Sequence, residues 1–247
     1  MEVLSNVFQC AMHEIREGIP NPALQLRGHW GEEYFHNTNP IVLELGCGHG
    51  EYTVGLAKAH HDCNYIGIDI KGARMWHGAK QAYEAQMSNV AFLRINIEEI
   101  NHFFCSDEIA EIWITFPDPQ MKKATKRLTS TFFMKRYKEL LRPSGLIHLK
   151  TDSPFLYAYT KEMIKVNRYT LLHDTDDLYH SNLAVEDSAL VRIQTHYEKQ
   201  WLDRGLTIKY LNWQLPDLPD FIEPEIEIEK DNYRSYGRSY VTTNTQL

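Results

Sequence analysis

Five short apolar runs alternate with helix-length stretches through the middle of this 247-residue chain, and that alternation limits its folds more than any other feature. The runs are "IVLELG" (41–46), "NYIGIDI" (64–70), "VAFLRI" (90–95), "EIWITF" (111–116) and "GLIHLK" (145–150). Helical patterns fall at 51–60, 72–87, 98–104, 129–142 and 154–167. Strands separated by helices of this length build βαβ units, so the chain is expected to form a mostly parallel sheet with helices on both faces. Arg142-Pro143-Ser144-Gly145 reads as a helix stop and turn. Further on, "YTLLHD", a helix near 186–203 and "LTIKYLNWQL" (206–215) suggest a closing antiparallel hairpin. Residues 1–40 lack clean periodicity apart from a helix near 7–17, so the core domain is expected over 41–215. Residues 216–247, Pro- and acid-rich and then polar, read as a partly disordered extension.

Composition removes several classes. No uninterrupted apolar run is long enough to span a membrane, and "MEVLSNVFQC" does not have the pattern of a secretory signal. The four cysteines form no CxxC pair, which suggests reduced thiols and a cytoplasmic setting. No His/Cys spacing points to a structural metal. The net charge of -7 conceals a dipole. Residues 122–168 carry twelve basic side chains against Glu139, Asp152 and Glu162, whereas 174–231 carry five basic against fourteen acidic. A polyanion responds to the local field rather than to the total.

The loop "ELGCGHGEY" (44–52) follows a strand and opens a helix. Gly46, Gly48 and Gly50 permit a tight turn and close approach of a ligand, and the next helix points its amides into the same crevice. Asp69 ends the following strand, where a carboxylate can accept both hydroxyls of a ribose. Dinucleotide sites space their glycines G-x-G-x-x-G, but here the spacing is G-x-G-x-G, with Glu44 just before it. A carboxylate there would repel a pyrophosphate and suit a ligand carrying an amino group or a sulfonium. The pattern resembles the class I S-adenosylmethionine-dependent methyltransferases. Asn96 ends the third strand, where it either meets an adenine edge or caps the turn. Asp118, held between Pro117 and Pro119, ends the fourth strand facing the cofactor's reactive end.

Taken together these residues resemble the tRNA (guanine-N7-)-methyltransferases over about residues 40–215. The resemblance is carried by "ELGCGHGEY", "GIDIKGARMW", "TFPDPQMKKATKRL", "HLKTDSPF" and "RIQTHYE". It implies a Rossmann-like class I methyltransferase fold, with a seven-stranded, mostly parallel sheet ending in an antiparallel strand. It implies Glu44, Asp69, Asn96 and Asp118 at S-adenosylmethionine, with Asp118 also catalytic. Lys122, Asp152 and Thr195-His196-Tyr197-Glu198 match its substrate positions. The implied reaction methylates N7 of guanine 46 in the tRNA variable loop, giving 7-methylguanosine and S-adenosylhomocysteine without a metal. The family contains monomers and homodimers. Gln120-Met121 stand where Trp-Pro is common, the basic loop is two residues shorter, and Asn96 replaces a common Asp.

The residues are consistent with that chemistry. Guanine N7 carries an in-plane lone pair and no proton, so its methylation requires no general base. Asp118 and Asp152 could accept from guanine N1–H and the exocyclic amine and so aim N7. Asp152 equally suits the N-cap of the helix near 154–167. Lys123, Lys126 and Arg127 read as phosphate contacts, with Lys135, Arg136, Lys138 and Arg142 extending the charge. Thr195 and Glu198 also form a capping-box pattern. The competing readings are a small-molecule or protein methyltransferase, a dinucleotide oxidoreductase, and a non-catalytic RNA-binding module.

Overall fold

The computed structural model describes residues 4–217 and 220–231. In chain order its elements are β1 (Val7–Gln9), α1 (Met12–Glu17), α2 (Pro22–Gln25), β2 (Ile41–Leu45), α3 (Glu51–Ala59), β3 (Asn64–Asp69), α4 (Gly72–Glu84), β4 (Val90–Arg94), β5 (Ile109–Thr115), α5 (Thr131–Leu140), β6 (Leu141–Thr151), α6 (Pro154–Val166), β7 (Thr170–Thr175), α7 (Leu183–Glu186), α8 (Ala189–Arg192), α9 (His196–Asp203) and β8 (Lys209–Gln214). A short 3₁₀ turn at Ile97–His102 replaces the helix expected near 98–104.

One eight-stranded sheet runs in the order β1-β4-β3-β2-β5-β6-β8-β7. Neighbours from β1 through β6 pair in parallel, and β8 runs antiparallel to both β6 and β7. β2 is buried along its whole length, as its unbroken apolar run requires of a strand covered on both faces. One core layer packs Leu43, Ile66 and Ile68 against Phe133 and Tyr137 of α5 and Leu156 of α6. The other packs Val42, Tyr65 and Phe92 against Tyr52 and Leu56 of α3 and Met75 of α4.

Three differences from the sequence expectations have identifiable causes. The sheet has eight strands rather than seven, because Val7–Gln9 add an edge strand beside β4. That edge is secured by an aromatic cluster in which Phe8 and Tyr34 meet the buried Trp30 edge-on. The Pro-Ser-Gly turn lies inside β6 as an irregularity: Leu141 pairs with Ile109, and pairing resumes at Leu146 opposite Glu111. The helix near 186–203 is split into α7, α8 and α9, with Thr195 capping the last.

The extension, expected over 216–247, is anchored as far as it is described. Phe221 packs edge-on against Tyr169, and Asn167 bonds both the N–H and the C=O of Ile222. Residues 218–219 and 232–247 lie outside the described residues.

Register gathers the strand-end loops. Leu45 of β2 stands opposite Ile68 and Ile114, and Thr115 stands opposite Lys150, so the carboxyl ends of β2, β3, β5 and β6 share one rim. The chain winds from β2 through β3 to β4, then crosses back to the other side of β2 for β5. Ligands of open α/β sheets bind at such a reversal.

Candidate active site

A cavity of 890 Å³ opens at that rim. Its first wall is the glycine turn after β2. Gly46 and Gly48 have φ of 75° and 55° and line the cavity. A Cβ on Gly46 would meet nothing within 4 Å, and one on Gly48 only a carbonyl at 4.0 Å, so the space a side chain would fill belongs to the cavity. Gly50 serves packing instead: a Cβ there would lie 2.6 Å from the Phe92 ring. Asp69 faces the same turn, accepting from Gly48 N at 2.9 Å and Lys71 N at 2.8 Å. Each carboxylate oxygen keeps a further lone pair for a ligand hydroxyl.

Glu44 lies behind this wall, 3% exposed and off the cavity surface. Its Oε2 accepts from Thr53 N at 2.8 Å and from the Thr53 hydroxyl, and its Oε1 accepts from Thr115 Oγ1 at 2.5 Å. Burial pushes its carboxyl up to about 7, although the threonine bonds act in the opposite sense. Glu44 therefore ties the first turn of α3 to the end of β5.

A smaller recess of 180 Å³ adjoins Asp69, lined by Ile70, Ile95, Ile97, Asn96 and Phe133. Its apolar walls suit a flat heterocycle. Asn96 lines this recess, and its Oδ1 accepts from Glu98 N at 3.2 Å, so it caps the turn from a position on the recess wall.

The opposite wall comes from β5 and β6. Phe116 and Gln120, two non-glycine residues with positive φ of 48° and 46°, bracket Asp118. Such backbone is costly and marks a segment whose shape is imposed by its surroundings. Phe116 N donates to Lys150 O at 2.8 Å, and Asp118 Oδ1 accepts from Gln120 N at 3.0 Å. Asp118 lines the cavity, as does Asp152, which is only 2% exposed. The N-cap of α6 is Ser153, whose side chain accepts from Leu156 N at 3.0 Å, so Asp152 does not have that role.

The 195–198 run divides. Thr195 and Tyr197 line the cavity. His196 sits beside His49, ring centres 6.1 Å apart, and its N–H donates to Glu51 at 2.9 Å. Glu198 turns inward, fully buried, onto Lys150 at 2.7 Å and the Tyr179 hydroxyl at 2.9 Å. Burial lowers the Lys150 pKa and raises that of Glu198, each opposed by the other's charge.

The basic loop divides as well. Lys122 and Lys123 are exposed, and Lys126 lines the cavity while pairing with Glu98. Arg127, expected at a phosphate, is 9% exposed. Its guanidinium lies over the rings of Phe155 and Tyr159 and donates to Gln120 O at 3.2 Å and Met121 O at 3.1 Å, which makes it a strut for its own loop. Lys135 and Lys138, expected to extend the basic patch, pair with Asp220 at 2.7 Å and Asp217 at 3.0 Å. His49, Ile70, Thr115, Trp201 and Asp231 also line the cavity and were not foreseen. Trp201 lies four residues after Tyr197 on one helix face, a spacing that could have revealed it. Nothing in the local sequence marks Asp231.

A family described as "Putative methyltransferase" matches residues 38–211. Solved structures similar to this one include an antibiotic-related methyltransferase (TM-score 0.54, 14% identity, 73% of this chain and 89% of that one). Another is a 30S ribosomal A1408 methyltransferase from an uncultured bacterium (TM-score 0.52, 14% identity, 74% and 90%). At that identity they bear on the fold, which is the class I methyltransferase fold. Among curated relatives, the tRNA (guanine-N(7)-)-methyltransferase of Bacteroides thetaiotaomicron is 57% identical over 90% of this chain and 86% of its own length. The one from Porphyromonas gingivalis is 54% identical over 97% of both. On this likeness and on its fold, the chain belongs to the tRNA (guanine-N7-)-methyltransferase family.

Proposed function

We propose that this enzyme transfers a methyl group from S-adenosylmethionine to N7 of a variable-loop guanine of tRNA, position 46, leaving 7-methylguanosine and S-adenosylhomocysteine. The observation that carries this reading is that one cavity joins the glycine turn and Asp69 at one end to Asp118 and Asp152 at the other, with Lys126 and Tyr197 on its surface.

S-adenosylmethionine supplies an electrophilic methyl on a sulfonium. The chain's own residues supply position and charge. The backbone at Gly46 and Gly48 gives room for the amino-acid end, Asp69 accepts the ribose hydroxyls, and Asn96 with Ile70 and Ile97 encloses the adenine. Glu44 acts through Thr53 and Thr115, holding the walls in register. Guanine N7 has no proton to remove, so Asp118 and Asp152 serve as acceptors for N1–H and the exocyclic amine and stabilise the cationic product ring. Adenine presents an acceptor at N1 and would be refused. Thr195, His196 and Tyr197 frame the base, with Glu198 holding their helix from beneath. Lys122, Lys123 and Lys126 hold the backbone of the RNA, and the target base leaves its stack to enter. With tRNA as its substrate, the proposed site of action is the cytoplasm.

The test is methyl transfer from labelled S-adenosylmethionine to unmodified tRNA transcripts, followed by aniline cleavage at 7-methylguanosine. Cleavage at the variable-loop guanine, abolished when that guanine is replaced, is the expected result. Methyl transfer to small molecules or protein but to no tRNA overturns it.

A further inference from the structure

The acid-rich extension comes back to the cavity. Asp231, 79 residues after Asp152 in the chain (231 − 152), lines the same space. Both oxygens of its carboxylate bond the start of α6: Oδ1 accepts from Phe155 N at 2.9 Å, and Oδ2 accepts from the Ser153 hydroxyl. The first turn of a helix leaves orphan amides, and here each is accounted for. Pro154 has none, Phe155 uses Asp231, Leu156 uses Ser153 Oγ at 3.0 Å, and Tyr157 uses Ser153 O at 3.1 Å. Ser153 is thus held on three sides, since its own N–H donates to Thr151 Oγ1 at 3.1 Å. The residue between Thr151 and Ser153 is Asp152.

The extension that delivers Asp231 is itself fastened. Glu223 accepts from Thr131 N at 3.2 Å and Thr131 Oγ1 at 2.9 Å at the start of α5, and from the Tyr159 hydroxyl of α6. The extension thereby supplies one carboxylate to the positive end of α5 and another to that of α6, the two helices that follow the site strands β5 and β6.

We infer that Asp231 is a positioning residue for methyl transfer: by locking Ser153 and the first turn of α6 it fixes the Asp152 carboxylate against the guanine. This rests on the function proposed above. Reaction rates depend steeply on such placement, so the effect falls on turnover rather than on binding.

The experiment compares wild type, Asp231→Asn, Asp231→Glu and Asp174→Asn as full chains, measuring kcat and KM for tRNA, S-adenosylhomocysteine affinity and Tm. Asp231→Asn replaces one of the two accepting oxygens by an NH2 that only donates, so the paired acceptance from Phe155 N and the Ser153 hydroxyl is lost in this geometry. Asp174→Asn weakens the contacts that Tyr157 and Lys161 of α6 make to β7, away from the cavity, and reports the cost of loosening the helix alone. Expected are a fall in kcat of about 10-fold or more for Asp231→Asn, with KM and S-adenosylhomocysteine affinity held, partial recovery in Asp231→Glu, and normal kcat in Asp174→Asn. An Asp231→Asn enzyme with wild-type kcat, or one no worse than Asp174→Asn, overturns the inference and leaves the guanine reading intact. A folded wild type that methylates no tRNA overturns the reading itself, and the inference with it.

Discussion

Asp118 is held out of the sheet by two residues in left-handed backbone, Phe116 and Gln120. Its carboxylate faces the cavity with Oδ1 already accepting from Gln120 N. Asp118→Asn keeps the shape and removes the charge, so single-turnover methyl transfer should fall by about 10²-fold or more. Calorimetric affinity for S-adenosylhomocysteine should stay within about 3-fold, because the turn at Gly46 and Asp69 is untouched. Glu44 makes a different prediction. Its carboxyl is raised to about 7 in the folded chain against 4.5 when unfolded, so the folded state holds the proton more tightly. That contribution is complete below about pH 4.5 and is lost as pH rises through about 7. Glu44→Gln should therefore flatten the stability profile across that window. Chemical denaturation at pH 4.5 and 8 should show a difference between variant and wild type that changes by about 3 kcal/mol, and parallel profiles would argue against a perturbed Glu44.

The loop from Lys122 to Arg127 separates its charges by direction. Lys122 and Lys123 face solvent, whereas Arg127 lies over the Phe155 and Tyr159 rings and is bonded to the loop's carbonyls. Lys122→Ala with Lys123→Ala should weaken tRNA binding without selectivity and reduce the slope of log K against log salt by about 1 per lysine removed. Arg127→Ala should instead lower kcat at unchanged salt slope. At the start of α9, Glu198 leaves the cavity to pair with Lys150 inside the protein. Removing one partner of a fully buried pair strands the other charge. Glu198→Ala should cost about 3–5 kcal/mol in urea unfolding, and a Lys150→Met, Glu198→Leu double variant markedly less. Capping at Thr195 is visible in T-H-Y-E, but the inward turn of Glu198 depends on a lysine from β6 that no local pattern supplies.

Across the molecule, the β2–β5 reversal puts the glycine turn and Asp69 in one cavity with Asp118 and Asp152, so on the proposed function a ligand at either end should stabilise the same rim. S-adenosylhomocysteine at 100 times its Kd should raise unfolding stability by about 2.7 kcal/mol, with little dependence on salt, in contrast to tRNA. The acidic extension lies against α5, where Asp217 and Asp220 neutralise Lys138 and Lys135. The basic charge that the proposal assigns to RNA is thereby narrowed from a whole helix towards the Lys122–Lys126 loop.

Periodicity, glycine spacing and strand-end acids made the parallel sheet, the Gly46–Gly48 turn and the positions of Asp69 and Asp118 at the strand-end rim legible, because those depend on neighbours a few residues away. Apolar runs must be buried, glycines must turn, and residues ending parallel strands must gather at one rim. The edge strand at Val7–Gln9, the burial of Glu44 and Glu198, the inward turn of Arg127 and the return of Asp231 were decided by the tertiary structure. Each depends on a partner far along the chain: β4 for Val7–Gln9, Thr115 for Glu44, Lys150 for Glu198, Tyr159 for Arg127 and Phe155 for Asp231. A charged side chain reads the same in sequence whether water or a buried partner receives it, and only the packed structure shows which.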